Sequence, residues 1–450
     1  MTQHTLIRNA RMVNEGMVSE ADILIVNGRI ERIDSEISAS HNVDVFDAQG
    51  QYLLPGMIDD QVHFREPGLT HKGCIATESR AAVAGGVTSF MDMPNTNPST
   101  TTAPALLEKH EIAARSSAAN YGFFFGASNH NIDEIRQLDP KLACGVKVFM
   151  GASTGNMLVD REEVLDAIFR DSPVVIATHC ESTPMIKLAM EQALAKFGED
   201  IPLEQHPVIR SREACLASST IAVELARRHD AQLHVLHITT ADELELFAPG
   251  PVDNKSITAE TCIHFLHFDE RDYANLGNRI KCNPAIKGEA DRIALRAALK
   301  DGRIDILATD HAPHTASEKA DPSYLRAPAG LPLVQDVLLA ALELVHDKSL
   351  GLPELVNLVT HNPARRFAVE ERGFLREGYW ADLALVDLEA ETPVTAERVL
   401  YRCGWSPFEG RVFKSRISAT WVNGALAWDG NALIEHSAAQ ALTYHRRPAR

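Results

Sequence analysis

Apolar and polar residues alternate in short runs from Thr5 to Leu54: Leu6-Ile7, then Asp22-Ile23-Leu24-Ile25-Val26, a break at Asn27-Gly28, and Ile30-Glu31-Arg32-Ile33. A period of two is that of half-buried strands, and Asn-Gly supplies the positive φ angles that a tight hairpin demands. The pattern returns in Ala381-Asp382-Leu383-Ala384-Leu385-Val386 and in Ser418-Ala419-Thr420-Trp421-Val422, which runs into Asn423-Gly424. Two β-rich ends around a different middle predict one small sheet domain built from both termini. Between about Pro55 and Phe367, strand-like runs alternate with amphipathic helices, the pattern of repeated βα units. Met185 to Phe197 is one predicted helix, apolar at 185, 186, 188, 189 and 194 and stopped by Gly198; Asp336 to His346 is another. No fixed-period repeat is present, which argues against a solenoid or propeller. The last residues, Tyr444 to Arg450, read as a frayed basic end.

Composition narrows the class of protein. The 450 residues are 45% hydrophobic and 23% charged, ordinary globular values, and at ~150 residues per domain they allow one large barrel with an accessory domain. Lys and Arg number 44 against 61 Asp and Glu, a net charge of −17. Such a surface repels phosphate backbones and anionic lipid, so neither nucleic acid nor membrane is expected as a partner. A small anionic substrate remains compatible, because one arginine in a cleft outweighs the distant field. The seven cysteines lie far apart with no CxxC pair, as in a cytoplasmic protein with reduced thiols. No basic leader with an apolar segment opens the chain, and no apolar run reaches the ~18 residues of a membrane span.

The chain carries 19 histidines, and some of them sit in equivalent places. Met57-Ile58-Asp59-Asp60-Gln61-Val62 runs into His63, Gly145-Val146 into Lys147, and Val174 to Thr178 into His179. Leu233 to Leu236 leads to His237, and Ile304 to Thr309 to Asp310. In a (β/α)8 barrel the C-terminal strand ends converge on one mouth, so these scattered residues would meet in space. Imidazoles and a carboxylate suit zinc, with positions left open for water. His41, His206, His229 and His346 have no such placement and read as surface or packing residues. The charge-rich stretch Thr315 to Arg326 reads as a mobile loop near the mouth.

Several motifs carry a resemblance. They are Pro55-Gly56-Met57-Ile58-Asp59-Asp60-Gln61-Val62-His63-Phe64-Arg65-Glu66-Pro67-Gly68, Met93-Pro94-Asn95-Thr96-Asn97-Pro98 and Thr309-Asp310-His311-Ala312-Pro313-His314-Thr315. Asn362-Pro363-Ala364 and Ser406-Pro407-Phe408-Glu409-Gly410 add to them. With these the chain resembles the metal-dependent cyclic amidohydrolases, and within them the longer dihydroorotases that carry a terminal β-sandwich. The resemblance implies a TIM-like (β/α)8 barrel over residues 55–367, a β-sandwich domain from 1–54 and 368–430, and a tail at 431–450. It implies as metal ligands His63, Lys147, His179, His237 and Asp310, with Lys147 bridging two ions as a carbamate formed with carbon dioxide. There is one departure: the family's His-x-His is here Gln61-Val62-His63. An amide oxygen is a weaker zinc donor than imidazole. The bridging Lys147 argues for two ions and the lost histidine for one, so two zinc sites of unequal affinity are expected, with a single ion as the alternative.

The reaction the resemblance implies is the reversible hydrolysis of (S)-dihydroorotate to N-carbamoyl-L-aspartate, a step of pyrimidine (UMP) synthesis, with Asp310 as the catalytic proton carrier. Arg65, Asn95 and His314 would hold the substrate carboxylate, its planar guanidinium suiting Arg65 to bidentate recognition. His63 would face the substrate as well, and Asn283 with the Ala329-Gly330 backbone would contact the ring. Two other readings compete. An allantoinase or hydantoinase shares the barrel and metals but acts on rings without this carboxylate. A non-catalytic dihydroorotase-like subunit of an aspartate transcarbamoylase assembly is favoured only by Gln61. The family also suggests a homodimer and contact with aspartate transcarbamoylase.

Overall fold

The structure, a computed structural model, describes residues 4–39, 42–151 and 157–446; His41 lies outside them. Both chain ends build one sheet. His4–Asn14 pairs with Met17–Val26 and Asp44–Asp47, and the order continues through Tyr52–Pro55, Leu383–Asp387, Arg416–Val422 and Ala425–Trp428. Tyr52–Pro55 is the seam, parallel to the N-terminal strand on one side and antiparallel to Leu383–Asp387 on the other. The hairpin turns form as the sequence predicts: Asn27 and Gly28 have φ of 51° and 82°, Asn423 and Gly424 48° and 78°. One face of the sheet buries Ile7, Ile23, Ile25, Leu53, Leu383, Leu385 and Trp421 in a core of its own.

At Gly56 the chain leaves this sheet for a barrel. A Cβ there would lie 2.1 Å from Thr88 Oγ1, so glycine leaves room for the buried Thr88 side chain of the next strand. Strands Met57–Val62, Val87–Asp92 and Asn120–Phe123 are parallel neighbours. The third continues past Phe124 as Phe125–Gly126, which starts the run of Val146–Phe149, Ile176–His179, Leu233–Val235, Ile257–Cys262 and Ile306–Ala308. The ring closes where His63 N donates to His311 O at 2.7 Å beside a parallel bridge between Val62 and His311. This is the predicted (β/α)8 barrel with a separate β-rich domain. Helices cover its outside. Ala103–Ser116 starts under the Thr102 side chain with proline in its first turn. Arg212–His229 starts under Ser211 and ends on Arg227, Arg228 and His229, cations that suit the negative helix C-terminus. The predicted helix at 185 spans Thr183–Phe197 and is capped by Gly198 at φ 64°.

Two expectations fail. Described residues of the C-terminal end are not frayed: Tyr121 N donates to Gln440 O and Leu442 N to Tyr121 O, and Leu442 and Tyr444 are buried. Arg446 donates to the carbonyls of Pro140 and Cys144. The apolar residues at 442 and 444 pull the basic end onto the barrel; residues 447–450 lie outside the description. Nor is 315–326 a loose loop. It contains the helical turn Ala316–Lys319, and buried Lys319 donates to the carbonyls of Lys281, Pro328 and Gly330. An ammonium that replaces water with three carbonyls holds the segment over the barrel mouth.

A buried polar network joins the two parts. Asp382 accepts from Arg372, from the Asn120 amide of the third barrel strand at 3.1 Å, and from Asn423 N at 2.8 Å. Asn423 in turn donates to Asn120 Oδ1. Arg372 and Asp382 are 2% and 3% exposed, so removing one partner strands a charge away from water. Arg372→Leu is expected to destabilise the fold by about 3–5 kcal/mol, read as a lowered urea midpoint. An unchanged midpoint would show that the network carries no stability.

Candidate active site

Gln61, His63, Arg65, Asn95, Lys147, His179, His237, Asn283, Asp310, His314, Ala329 and Gly330 line one cavity of about 290 Å3 at the C-terminal end of the barrel. Residues spread over 270 positions of sequence meet because parallel strands end together. Three of them, Arg65, His237 and Asp310, have φ of 68°, 43° and 51°, left-handed backbone that non-glycine residues adopt at a cost and that turns each side chain off its strand into the mouth. Lys147 is placed deeper than a strand end, second in Val146–Phe149, and is 1% exposed.

The cavity floor is built of ring nitrogens and a carboxylate that face one another at hydrogen-bond distance. His179 donates Nε2–H to Glu181 Oε2 at 2.9 Å, which leaves Nδ1 bare, 2.9 Å from His237 Nε2. Glu181 is itself fixed by Arg210; burial pushes its carboxyl up, but Arg210 and His179 outweigh this and keep it ionised. Across the floor, His63 Nδ1 meets Asn95 Oδ1 at 2.8 Å and Nε2 meets Asp310 Oδ1 at 3.0 Å. A proton or a metal ion has to lie between the members of each pair. Burial favours neutral imidazoles at His63, His179 and His237. Burial pushes the Asp310 carboxyl up, but its hydrogen bond with His63 outweighs this and keeps it ionised. Burial lowers the Lys147 amine to about 8, and its charge acts on all three histidines. Neutral imidazoles oriented by a carboxylate, an ionised aspartate and a lysine ready to lose its proton make a donor set that fits metal.

Gln61 does not take up a ligand's posture. Its Nε2 donates to Asp310 Oδ1 at 3.2 Å and its Oε1 turns to Cys262 Sγ at 3.9 Å. Where the sequence led us to weigh an amide oxygen against a metal, the geometry gives a donor that orients the aspartate.

The outer half of the cavity is cationic. Arg65 donates Nε–H to Pro313 O at 3.1 Å. His314 Nε2 lies 3.1 Å from Ala329 O, and its Nδ1 lies 3.0 Å from Lys72 Nζ. Burial, Arg65 and Lys72 keep His314 neutral, so the one ring proton goes to the carbonyl and Nδ1 accepts from lysine. The Arg65 terminal nitrogen, 3.3 Å from the same Nε2, then sets donor against donor. Asn283 Oδ1 is buried without a hydrogen-bond partner. Gly330, at φ 143°, has Ala312 O 2.3 Å from where a Cβ would stand, so the backbone wall at 329–330 needs glycine. Glu181, Arg210, Lys72 and Phe149 were not singled out in the sequence. Glu181 was legible in principle, two residues beyond a ligand-type histidine; Lys72 and Arg210 come from loops whose direction no periodicity encodes.

Fold and site together define a barrel hydrolase whose chemistry sits at the strand ends. Comparison with known proteins agrees: the model of the amidohydrolase family matches residues 52–427. A dihydroorotase of Halobacterium salinarum is 35% identical over 422 residues, covering 92% of this chain and 96% of that protein. An allantoinase of Bacillus velezensis is 32% identical over 429 residues, 94% of each. Among solved structures, L-hydantoinase (dihydropyrimidinase) from Arthrobacter aurescens superposes with a TM-score of 0.92 at 27% identity, covering 98% of this chain and all of that one. The chain belongs to the amidohydrolase family, and it is an enzyme that hydrolyses cyclic amides.

Glu181→Gln keeps the shape but loses the charge that orients His179. Zinc affinity of the metal-stripped protein is expected to fall about 10- to 100-fold, measured by titration with a zinc-selective dye in competition. Wild-type affinity would mean that Glu181 does not orient a ligand.

Proposed function

We propose that the enzyme is a dihydroorotase, interconverting (S)-dihydroorotate and N-carbamoyl-L-aspartate. The observation that carries this reading is the Arg65 guanidinium, buried in the cavity wall with one terminal nitrogen against the protonated nitrogen of His314. A donor set against a donor leaves a buried cation with no direct ion pair among the described residues, only the more distant charges of Asp310, Asp92, Glu318 and Glu78, and a substrate carboxylate would supply one. Burial lowers Arg65 only to about 10, so it remains a cation. Lys72, its ammonium paired with Glu318 Oε1 at 3.0 Å, stands behind His314, and Asn95 closes the same side of the cavity. The unpartnered Asn283 Oδ1 suits a ring N–H, and the backbone at Ala329-Gly330 suits the ring's remaining polar edge. Rings without a carboxylate, such as allantoin, would leave Arg65 unanswered.

His63, His179, His237, Lys147 as its carbamate, and Asp310 would hold two zinc ions; such ions polarise the ring carbonyl and lower the pKa of water to about 7. Unequal affinity follows from the absence of a histidine at Gln61. The chain's own part begins with Lys147, whose low amine pKa lets the neutral nitrogen add to carbon dioxide with loss of one proton. Arg65 and its neighbours fix the carboxylate, which holds the ring carbonyl over the floor. As water oxygen adds to the carbonyl carbon, Asp310, ionised and held by Gln61 and His63, accepts its proton. The carbon–nitrogen bond of the ring then breaks, and Asp310 returns the proton to the departing nitrogen. Ring closure runs through the same groups in reverse.

Asp310→Asn should keep the fold and lose nearly all turnover, while Arg65→Met should raise the KM for dihydroorotate far more than it lowers kcat. Both are read from purified enzyme assayed with dihydroorotate and with allantoin. Allantoin turnover that exceeds dihydroorotate turnover, or normal activity of Asp310→Asn, would overturn the reading. Activity abolished by a chelator and restored by zinc is expected in the same assay.

A further inference from the structure

Beneath the mouth lies a second polar cluster that the reaction does not use. Asp60, His234 and Glu260 come from the strands Met57–Val62, Leu233–Val235 and Ile257–Cys262, and all three are 0% exposed. Asp60 and His234 each precede a mouth residue, His63 and His237, by three positions. At about 3.3 Å per strand residue this puts the cluster roughly 10 Å deeper in the barrel. One ligand-type atom from each residue lies within 4.8 Å of the others.

The two adjacent aspartates behave differently. Asp59 is fully engaged: it accepts from Thr309 Oγ1 at 2.6 Å and from the backbone of Gln61 and Thr309. Asp60 has both carboxylate oxygens buried with no hydrogen-bond partner, a costly state for a group removed from water. The nearest donor is His234 Nε2, 3.2 Å from Asp60 Oδ2 and 3.2 Å from Glu260 Oε2. Charge-assisted hydrogen bonds are shorter, about 2.7–2.9 Å. The edge of a tetrahedron with bonds of about 2.0 Å to a central zinc ion is about 3.3 Å. The histidine is also prepared as a ligand. Thr258 Oγ1 donates to Leu233 O and so receives Nδ1–H of His234 at 2.8 Å, an outer contact that leaves Nε2 to face the carboxylates. Burial opposes a charge on His234, but Asp60 and Glu260 outweigh it and raise the imidazole to about 9, while burial and Asp60 raise Glu260; the protons the cluster so holds are what a divalent ion displaces on binding.

We propose that Asp60, His234 and Glu260 form a separate cation site that takes one zinc ion within the barrel, below the hydrolytic mouth. The second oxygen of Asp60 completes the coordination. The ion ties three strands together and steadies the mouth from below, since Glu260 Oε1 accepts the backbone N–H of His237 at 3.2 Å and Asp60 is joined to Gln61.

The test measures zinc by mass spectrometry in the full-length protein purified from zinc-supplemented culture. The wild type is compared with Asp60→Asn and with the triple variant His63→Ala/His179→Ala/His237→Ala. The triple variant is expected to retain one zinc per chain, and Asp60→Asn to hold one fewer than the wild type. A zinc-free triple variant, or wild-type zinc content in Asp60→Asn, would overturn the site. Should either variant fail to fold by circular dichroism, anomalous diffraction at the zinc edge from wild-type crystals decides: a peak between the three side chains supports the site, and no peak there overturns it. Peaks at the mouth report on the hydrolytic ions separately, so failure of this site leaves the proposed reaction standing and the reverse holds too.

Discussion

Metal-competent atoms that face one another at the mouth of the barrel, His179 Nδ1 against His237 Nε2 and His63 Nε2 against Asp310 Oδ1, are the constraint around which the rest of the molecule is arranged. Such pairs repel unless a proton or a metal ion stands between them, and side chains left to relax would turn away. They are held because each has lost its freedom to turn. Glu181 and Arg210 lock one ring, Asn95 locks another, and Gln61 steadies the aspartate. Behind these contacts stands the closure of the strand ring through His63 N and His311 O, which brings the first and last strands to the same mouth.

Burial does most of the electrostatic work. It keeps the three imidazoles neutral and pulls the Lys147 amine toward its neutral form, while Asp310 stays ionised against it through its hydrogen bond with His63. The same burial takes Arg65 out of water with no direct ion pair among the described residues, only the distant charges of Asp310, Asp92, Glu318 and Glu78. A net charge of −17 is compatible with an anionic substrate for this reason: within a Debye length of about 8 Å, the cavity wall sets the potential that the substrate meets. Segment 315–330, with Lys319 satisfied by three carbonyls, supplies that wall as a fixed surface.

Much of the site was legible because barrel strands announce themselves as apolar runs and their last residues share one destination. His63, His179, His237 and Asp310 were found that way, and Lys147 too, although it lies within its strand. The orientation of Gln61 was not legible, since glutamine offers a donor and an acceptor at the same spacing and only the neighbours, Asp310 and Cys262, decide which faces inward. Lys72 and Arg210 reach the site from loops. The tail and the 315–326 segment were misread for a related reason: their charge suggested solvent, while a few apolar or lysine side chains found buried partners far away in sequence.

The sequence by itself determined the period of the main strands and helices, the turns at 27–28 and 423–424, the division into a barrel and a sheet made from both ends, and which candidate residues gather at the barrel mouth. These are local properties: they follow from side-chain spacing and from which residues tolerate a positive φ. Tertiary structure alone decided which partners each mouth histidine meets, which face of Gln61 meets Asp310, and that Asp59 is satisfied while its neighbour Asp60 is not. Those outcomes depend on partners as much as 250 residues apart, and hydrogen bonding is directional, so no pattern along one chain segment can encode them.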